Sequence, residues 1–94
     1  MRKKSWLSNH LRDPKNRLAF EQEGIVVEVM EEISRVMEAK KITERRLAKI
    51  LHKSQRHITM CFSGEREVSL RELAKWAFVL GRRVKIKLIP LRKY

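Results

Sequence analysis

Two short helical segments, with only a few residues between them, occupy the middle of this 94-residue chain. Thr43 can cap the first segment, which ends at Leu51, and Ser54 can cap the second, which ends at Ser63. Two helices joined by so short a connection cannot pack antiparallel, so they must cross steeply. A steep crossing needs a small side chain at the contact, and Ala48 stands on the apolar face of the first segment. The spacing therefore predicts a tightly crossed helix pair.

A long amphipathic segment precedes this pair. Asp13 followed by Pro14 predicts a helix start, because aspartate caps a helix and proline fits its first position. Apolar residues then recur at helical spacing as far as EAKK at residues 38–41. These residues are Ile25, Val26, Val29, Met30, Ile33, Val36 and Met37. Gly24 could break or bend the segment, so one long helix and two shorter helices both remain open.

A further helix and a strand pattern follow the pair. Ser69 and Glu72 form the capping box SLRE, which predicts the start of a helix that Gly81 ends. The apolar face expected for this helix consists of Leu70, Leu73, Ala74, Ala77 and Leu80. After Gly81, apolar residues and lysines alternate over residues 84–88, which predicts a β-strand bounded by Pro90.

The formal net charge of +12 is distributed unevenly. Residues 1–20 carry +5, residues 21–39 carry −5, and residues 40–94 carry +12. A basic half of this kind favours nucleic acid as a partner, and a solvated surface or an anionic membrane surface are the alternatives. The single Cys61 excludes an intrachain disulfide. Because neither a secretory signal nor an apolar stretch of membrane-spanning length is evident, we expect a cytoplasmic protein.

A steeply crossed helix pair in a basic chain is typical of a helix-turn-helix, whose second helix can enter the major groove of DNA. Gln55 and Arg56 occupy the N-terminal turn of that second helix, the part that meets base edges. Glutamine can pair with adenine, and arginine can pair with guanine. His57, Thr59 and Met60 are the further candidates for base contacts. Solvated polar residues without a partner are the alternative interpretation.

Several stretches resemble the Cro/repressor (Xre-type) helix-turn-helix family over residues 25–81. They are Thr43, LAKIL at residues 47–51, Ser54, Ile58, FSG at residues 62–64 and SLRELAKWAFVLG at residues 69–81. With LRDP near the start and GRRVKIKLIP near the end, the chain also resembles small prophage-type regulators and addiction-module antitoxins of that family. The resemblance implies a mainly α, repressor-like helix-turn-helix domain of four to five helices, to which the alternating segment adds a C-terminal β-strand.

The whole chain is expected to form one domain in three parts. They are an N-terminal helical extension at residues 1–23, the helix-turn-helix core at residues 25–81, and a strand and tail for dimerisation at residues 82–94. The resemblance implies a sequence-specific transcriptional regulator, a repressor that reads double-stranded operator DNA as a homodimer. The alternative is an antitoxin that neutralises a toxin by direct binding and represses its own operon, and the acidic segment from Glu21 to Glu38 favours it.

Phosphate contacts are expected from side chains in and around the helix pair, of which Lys53, Ser63 and Arg66 flank its second helix. They are Thr43, Arg45, Lys53, Ser54, Ser63 and Arg66.

Three positions depart from the family pattern. One is Cys61, which stands where an aliphatic residue is usual and is expected to pack as a small apolar side chain. His52 stands where glycine is frequent in the turn, and histidine is among the residues that tolerate a positive φ. Glu44 stands where glutamine is frequent, and the DNA backbone would repel its carboxylate unless Arg45 or Lys49 neutralises it.

The C-terminal strand is expected to form the homodimer. Val84, Ile86 and Leu88 would pair with the same segment of a two-fold mate, because one strand in a helical chain has no partner of its own. A strand paired with the N-terminal residues of the same chain and a frayed basic tail are the alternatives.

Neither catalysis nor a cofactor or metal is expected. His57 and Cys61 stand four residues apart, but no further ligand completes a zinc motif. Cys61 is expected to face the core, which excludes a Cys–His nucleophile pair. Trp76 is expected to pack in the core or a dimer interface. RNA as the nucleic acid is a third possibility, but the chain is expected to lack surface aromatic residues for stacking bases.

Overall fold

The computed structural model describes residues 5–92 and confirms a mainly α fold. The helices of this range are α1 Ser5–Arg12, α2 Pro14–Lys40, α3 Glu44–Leu51, α4 Gln55–Phe62 and α5 Leu70–Val79. The predicted crossed pair is α3 and α4. Short α1 packs against the start of α2, and the side chain of Leu11 is buried there.

The predicted capping residues begin four of the helices. In each case the side-chain oxygen accepts a backbone N–H two or three residues later, which satisfies a group that the helix itself leaves open. The acceptor distances are 2.9 Å at Asp13, 3.1 Å at Thr43, 3.0 Å at Ser54 and 3.1 Å at Ser69. The N–H of Ser69 also donates to the carboxylate of Glu72 at 3.3 Å, so the capping box is complete.

One long helix, not two shorter ones, precedes the pair. Helix α2 has 27 residues and is therefore about 40 Å long. Gly24 faces open space, since a Cβ at this position would meet no atom within 4 Å. A glycine in a helix interior costs only about 1 kcal/mol relative to alanine. The helix therefore continues through Gly24 without a break. It is capped at its end by Lys41, whose φ is 58°.

The core lies where the second half of α2 meets α3, α4 and α5. Its buried members are Met30, Ile33, Met37, Leu47, Ala48, Leu51, Ile58, Cys61, Trp76 and Leu80. The indole of Trp76 lies against Phe62, with 5.7 Å between the ring centroids. Trp76 is thus a core residue that joins α5 to α4. Trp6, Phe20 and Phe78 are exposed, so the expectation that the surface lacks aromatic residues is wrong.

The inward face of α5 differs from the expected one. Leu70 is 68% exposed and Ala74 is also exposed, whereas Trp76 is buried together with Ala77 and Leu80. Leu70 is the first residue of α5, and no core residue covers it. Ala74 lies a quarter-turn from the inward row, because successive helical residues are rotated by about 100°. The prediction that Leu70 and Ala74 belong to the core is therefore wrong.

The expected C-terminal β-strand is not present. Residues 82–92, the end of the described range, form neither helix nor strand. A strand must pair its N–H and C=O groups with a neighbouring strand, and the rest of the described chain is helical. The guanidinium of Arg17 donates a hydrogen bond to the carbonyl of Arg92, so this segment runs back toward the start of α2.

Candidate nucleic-acid interface

A three-residue turn joins α3 to α4 and brings their apolar faces together. His52 adopts the left-handed conformation with a φ of 58°, at the position where glycine was expected to be frequent. The N–H of Lys53 donates to the carbonyl of Ala48 at 2.9 Å and closes the turn. Ala48 is only 3% exposed, which confirms that it stands on the inward face. The turn therefore fixes how α4 is presented.

Helix α4 is anchored on one side and open on the other. Ile58 and Cys61 are buried among residues of α2, α3 and α5. Gln55, Arg56 and Thr59 are exposed on the opposite side. A helix whose back is fixed by its core contacts can offer its polar front to a groove without rearrangement.

The hydroxyl of Thr59 has a protein partner that the sequence pattern did not indicate. Its Oγ1 donates to the carboxylate Oε1 of Glu44 at 2.9 Å, across the pair from α4 to the first residue of α3. A carboxylate at a helix N-terminus is stabilised by the helix dipole. Because the hydroxyl proton is engaged, Thr59 can offer a base edge only its methyl group and an acceptor oxygen.

The side chain of His57 lies between α4 and α5, and it does not share the exposed side of α4 with Gln55 and Arg56. Its side chain is 17% exposed, and Nε2 lies 3.8 Å from the carboxylate of Glu72 and 3.8 Å from the Sγ of Cys61. Met60, the last of the five base-contact candidates, is half-buried. The candidates thus divide into an exposed group of Gln55, Arg56 and Thr59 and a partly covered group of His57 and Met60.

The six phosphate-contact candidates are all exposed. They are Thr43, Arg45, Lys53, Ser54, Ser63 and Arg66. The hydroxyls of Thr43 and Ser54 already accept backbone N–H groups as helix caps. The hydroxyl of Ser63 lies within hydrogen-bond distance of the Met60 carbonyl at 3.0 Å and of the Glu65 carboxylate at 2.8 Å. The three cations are therefore the candidates best suited to phosphate.

Cys61 has the environment of a packing residue. Burial raises the pKa of its thiol above the ordinary value of 9.0, and the nearby carboxylate of Glu72 raises that pKa further. A reactive cysteine needs a lowered pKa and access to solvent. Within residues 5–92, no group of three or more His, Cys, Asp or Glu side chains is placed to hold a metal ion.

Comparison with known proteins assigns the centre of the chain. A family model described as a helix-turn-helix matches residues 33–85, which is more than half of the chain. The match extends from the second half of α2 through α5 to Lys85. No curated protein and no solved structure matches the chain. In the described part of the chain, the helices are too short or too polar to cross a membrane.

Proposed function

Since the chain belongs to the Cro/repressor (Xre-type) helix-turn-helix family of DNA-binding transcription regulators, we propose that it is a repressor that reads operator DNA as a homodimer. The observation that carries this proposal is the polar front of α4. Gln55 and Arg56 are exposed in its first turn, while the buried Ile58 and Cys61 hold the back of the helix. The family is a regulatory DNA-binding family and not a family of enzymes.

The exposed residues of α4 have distinct tasks in this proposal. Arg56 donates to the O6 and N7 atoms of guanine, and Gln55 pairs with the N6 and N7 atoms of adenine. Thr59 presents its methyl group to thymine, because Glu44 engages its hydroxyl. His57 and Met60 stay secondary candidates for base contacts.

Side chains around the helix pair hold the phosphate backbone. They are Thr43, Arg45, Lys53, Ser54, Ser63 and Arg66. Their exposure and the three positive charges support this assignment. Such contacts orient the protein on DNA and add affinity for every sequence alike.

The homodimer forms through the C-terminal segment. A two-fold repressor places its two recognition helices about 34 Å apart, so two copies must be held together. The pairing segment contains Val84, Ile86 and Leu88. It pairs with the same segment of the mate, and each segment thereby becomes the strand that a single chain lacks. The exposure of Ile86 and Leu88 supports this assignment.

An antitoxin that binds a toxin and represses its own operon is the second candidate function. The acidic segment from Glu21 to Glu38 favours it, because this part of α2 combines six glutamates with exposed apolar side chains such as Ile25 and Val27. A basic toxin would be attracted to such a surface.

Selection of bound DNA from a random pool by the full chain, followed by a salt titration, tests the proposed repressor. We expect one enriched two-fold motif. Arg56→Ala should lose roughly 1–3 kcal/mol of discrimination at one base pair of each half-site. Lys53→Ala, the matched control, should weaken binding to all sequences alike and lower the salt slope by about 1 per subunit. Parental discrimination by a folded Arg56→Ala variant would refute the role of α4.

A further inference from the structure

The chain exposes more surface than a compact protein of its mass. Its accessible surface is 8209 Å², whereas a monomer of 11.3 kDa is expected to expose about 5,700 Å². The radius of gyration is 16.0 Å, against about 12 Å for a compact domain of this length. This excess of accessible surface, about 2,500 Å², is larger than the roughly 800 Å² that each partner contributes to a stable interface.

Part of the excess lies on α2, in residues 18–32, which we call the arm. The core residues Met30, Ile33 and Met37 belong to an apolar stripe that continues toward the helix start through Val26. Leu18, Ile25 and Val29 follow the edge of the same stripe at intervals of seven and four. Leu18 and Ile25 are each 60% exposed and Val26 is 39% exposed. Thus one stripe runs along α2, and the core covers only its second half.

A second apolar surface lies in residues 82–92, which we call the tail. The exposed fractions are 62% for Ile86, 94% for Leu88, 74% for Ile89 and 66% for Leu91. The tail begins beside a cavity of about 330 Å³ between α2 and α5, whose lining includes Val29, Leu73 and Val84. The tail therefore starts next to the arm of its own chain and returns to Arg17 just before it, but its exposed apolar side chains and those of the arm stay in solvent.

The arm and the tail have opposite charge. The arm contains five glutamates and no basic residue, a formal charge of −5. The tail contains three arginines and two lysines and no acidic residue, a formal charge of +5. Each surface thus combines apolar side chains with the charge that the other lacks. Such complementarity favours one surface as the partner of the other.

We propose that the arm of each copy is the docking surface for the tail of a second copy. A two-fold axis repeats every contact, so both arms and both tails are covered at once. This inference rests on the homodimer of the proposed function but not on its DNA contacts. The tail edges can still pair with one another, because strand pairing uses backbone groups and arm docking uses side chains. The acidic segment then serves the regulator itself rather than a toxin.

Cross-linking between unlike chains tests the docking directly. Full-length Ile25→Cys and Leu88→Cys chains, one carrying an affinity tag, are mixed and oxidised. The buried Cys61 provides little background. We expect a disulfide that joins the tagged chain to the untagged one. A dimer that yields only Leu88→Cys homodimers, or no disulfide at all, would overturn arm docking, and so would a monomeric chain by light scattering.

Charge reversal provides the independent measurement. We expect Glu28→Lys or Lys87→Glu alone to raise the dimer dissociation constant at least about five-fold at low salt, because each change acts twice in the dimer. The double variant should recover most of the loss. Glu67→Lys, in the loop before α5, is the matched control and should dimerise like the parent. Equal weakening by the control, or no recovery in the double variant, would contradict the proposal.

The two proposals can fail separately. Unlike-chain cross-links in a protein that selects no DNA motif would leave arm docking intact and refute the repressor. A selected two-fold motif without such cross-links would support the repressor and refute arm docking. A chain that stays monomeric alone but binds a co-expressed basic toxin through Ile25 would assign the arm to the toxin.

Discussion

Leucine in place of Ala48 should disrupt the contact between α3 and α4. Ala48 is 3% exposed, and Leu47, Leu51 and Ile58 are 0%, 2% and 0% exposed, so a larger side chain has no path to solvent. Leucine adds three carbon atoms and has nearly the helix propensity of alanine, so the effect comes from packing. Overpacking of this kind costs about 1–3 kcal/mol. At 4–8 °C per kcal/mol for a domain of this size, the melting temperature should fall by roughly 5–20 °C.

Circular dichroism melts at equal protein concentration measure this change, because dimerisation makes the melting temperature depend on concentration. Ala74→Leu is the matched control, since it makes the same substitution at an exposed alanine of α5 and should melt like the parent. Ala48→Leu should also lose specific DNA binding below its melting temperature, because the turn fixes how α4 is presented. An unchanged melt of Ala48→Leu would refute the packing argument.

Two further changes concern α4. Ser54→Ala removes the hydroxyl that accepts the N–H of His57 at 3.0 Å, and it should lower the free energy of unfolding by about 1 kcal/mol in chemical denaturation; an unchanged midpoint would show that the cap contributes nothing. Cys61 should react with iodoacetamide in denaturant but scarcely in the native protein at pH 7. Because its pKa is raised in the folded state, the folded state holds the thiol proton more tightly, so this contribution to stability is complete below about pH 9 and is lost as the pH rises further. Cys61→Ala should lack that loss when stability is compared at pH 8 and pH 10, and a parallel decline in both proteins would contradict the argument.

The helix boundaries and the turn could be predicted because their causes are local. Thr43, Ser54 and Ser69 each cap a helix through a hydrogen bond to a backbone group only three residues away. The position of Ala48 follows from the shortness of the connection. His52 likewise adopts a positive φ for a reason contained in the turn itself.

The exposed face of α5 and the missing strand could not be predicted from local patterns. By helical spacing alone, Leu70 and Trp76 could both lie on the inward face. Which of them is buried depends on how far the core extends in three dimensions, and the core covers Trp76 but not Leu70. The alternation over residues 84–88 indicates only that the segment is suited to a pleated sheet. Whether it becomes a strand depends on a neighbour, and a helical chain supplies none.

Contacts across the helix pair were also beyond sequence reasoning. Glu44 and Thr59 stand 15 residues apart, and no pattern along the chain links them. The same holds for His57 and Glu72, which meet only because α4 packs beside α5. The capping box located Glu72 at the start of α5, but it did not indicate which residue of another helix would lie beside Glu72.

The division of charge along the chain fits a protein that must both dimerise and bind DNA. Two copies with a net charge of +12 each would repel one another if the charge were spread evenly. Docking of an arm of −5 against a tail of +5 removes that repulsion at the interface. Residues 40–81, which contain α3, α4 and α5, still carry ten basic and four acidic side chains, a formal charge of +6. The positive charge therefore stays around the recognition helix, where phosphate contacts need it.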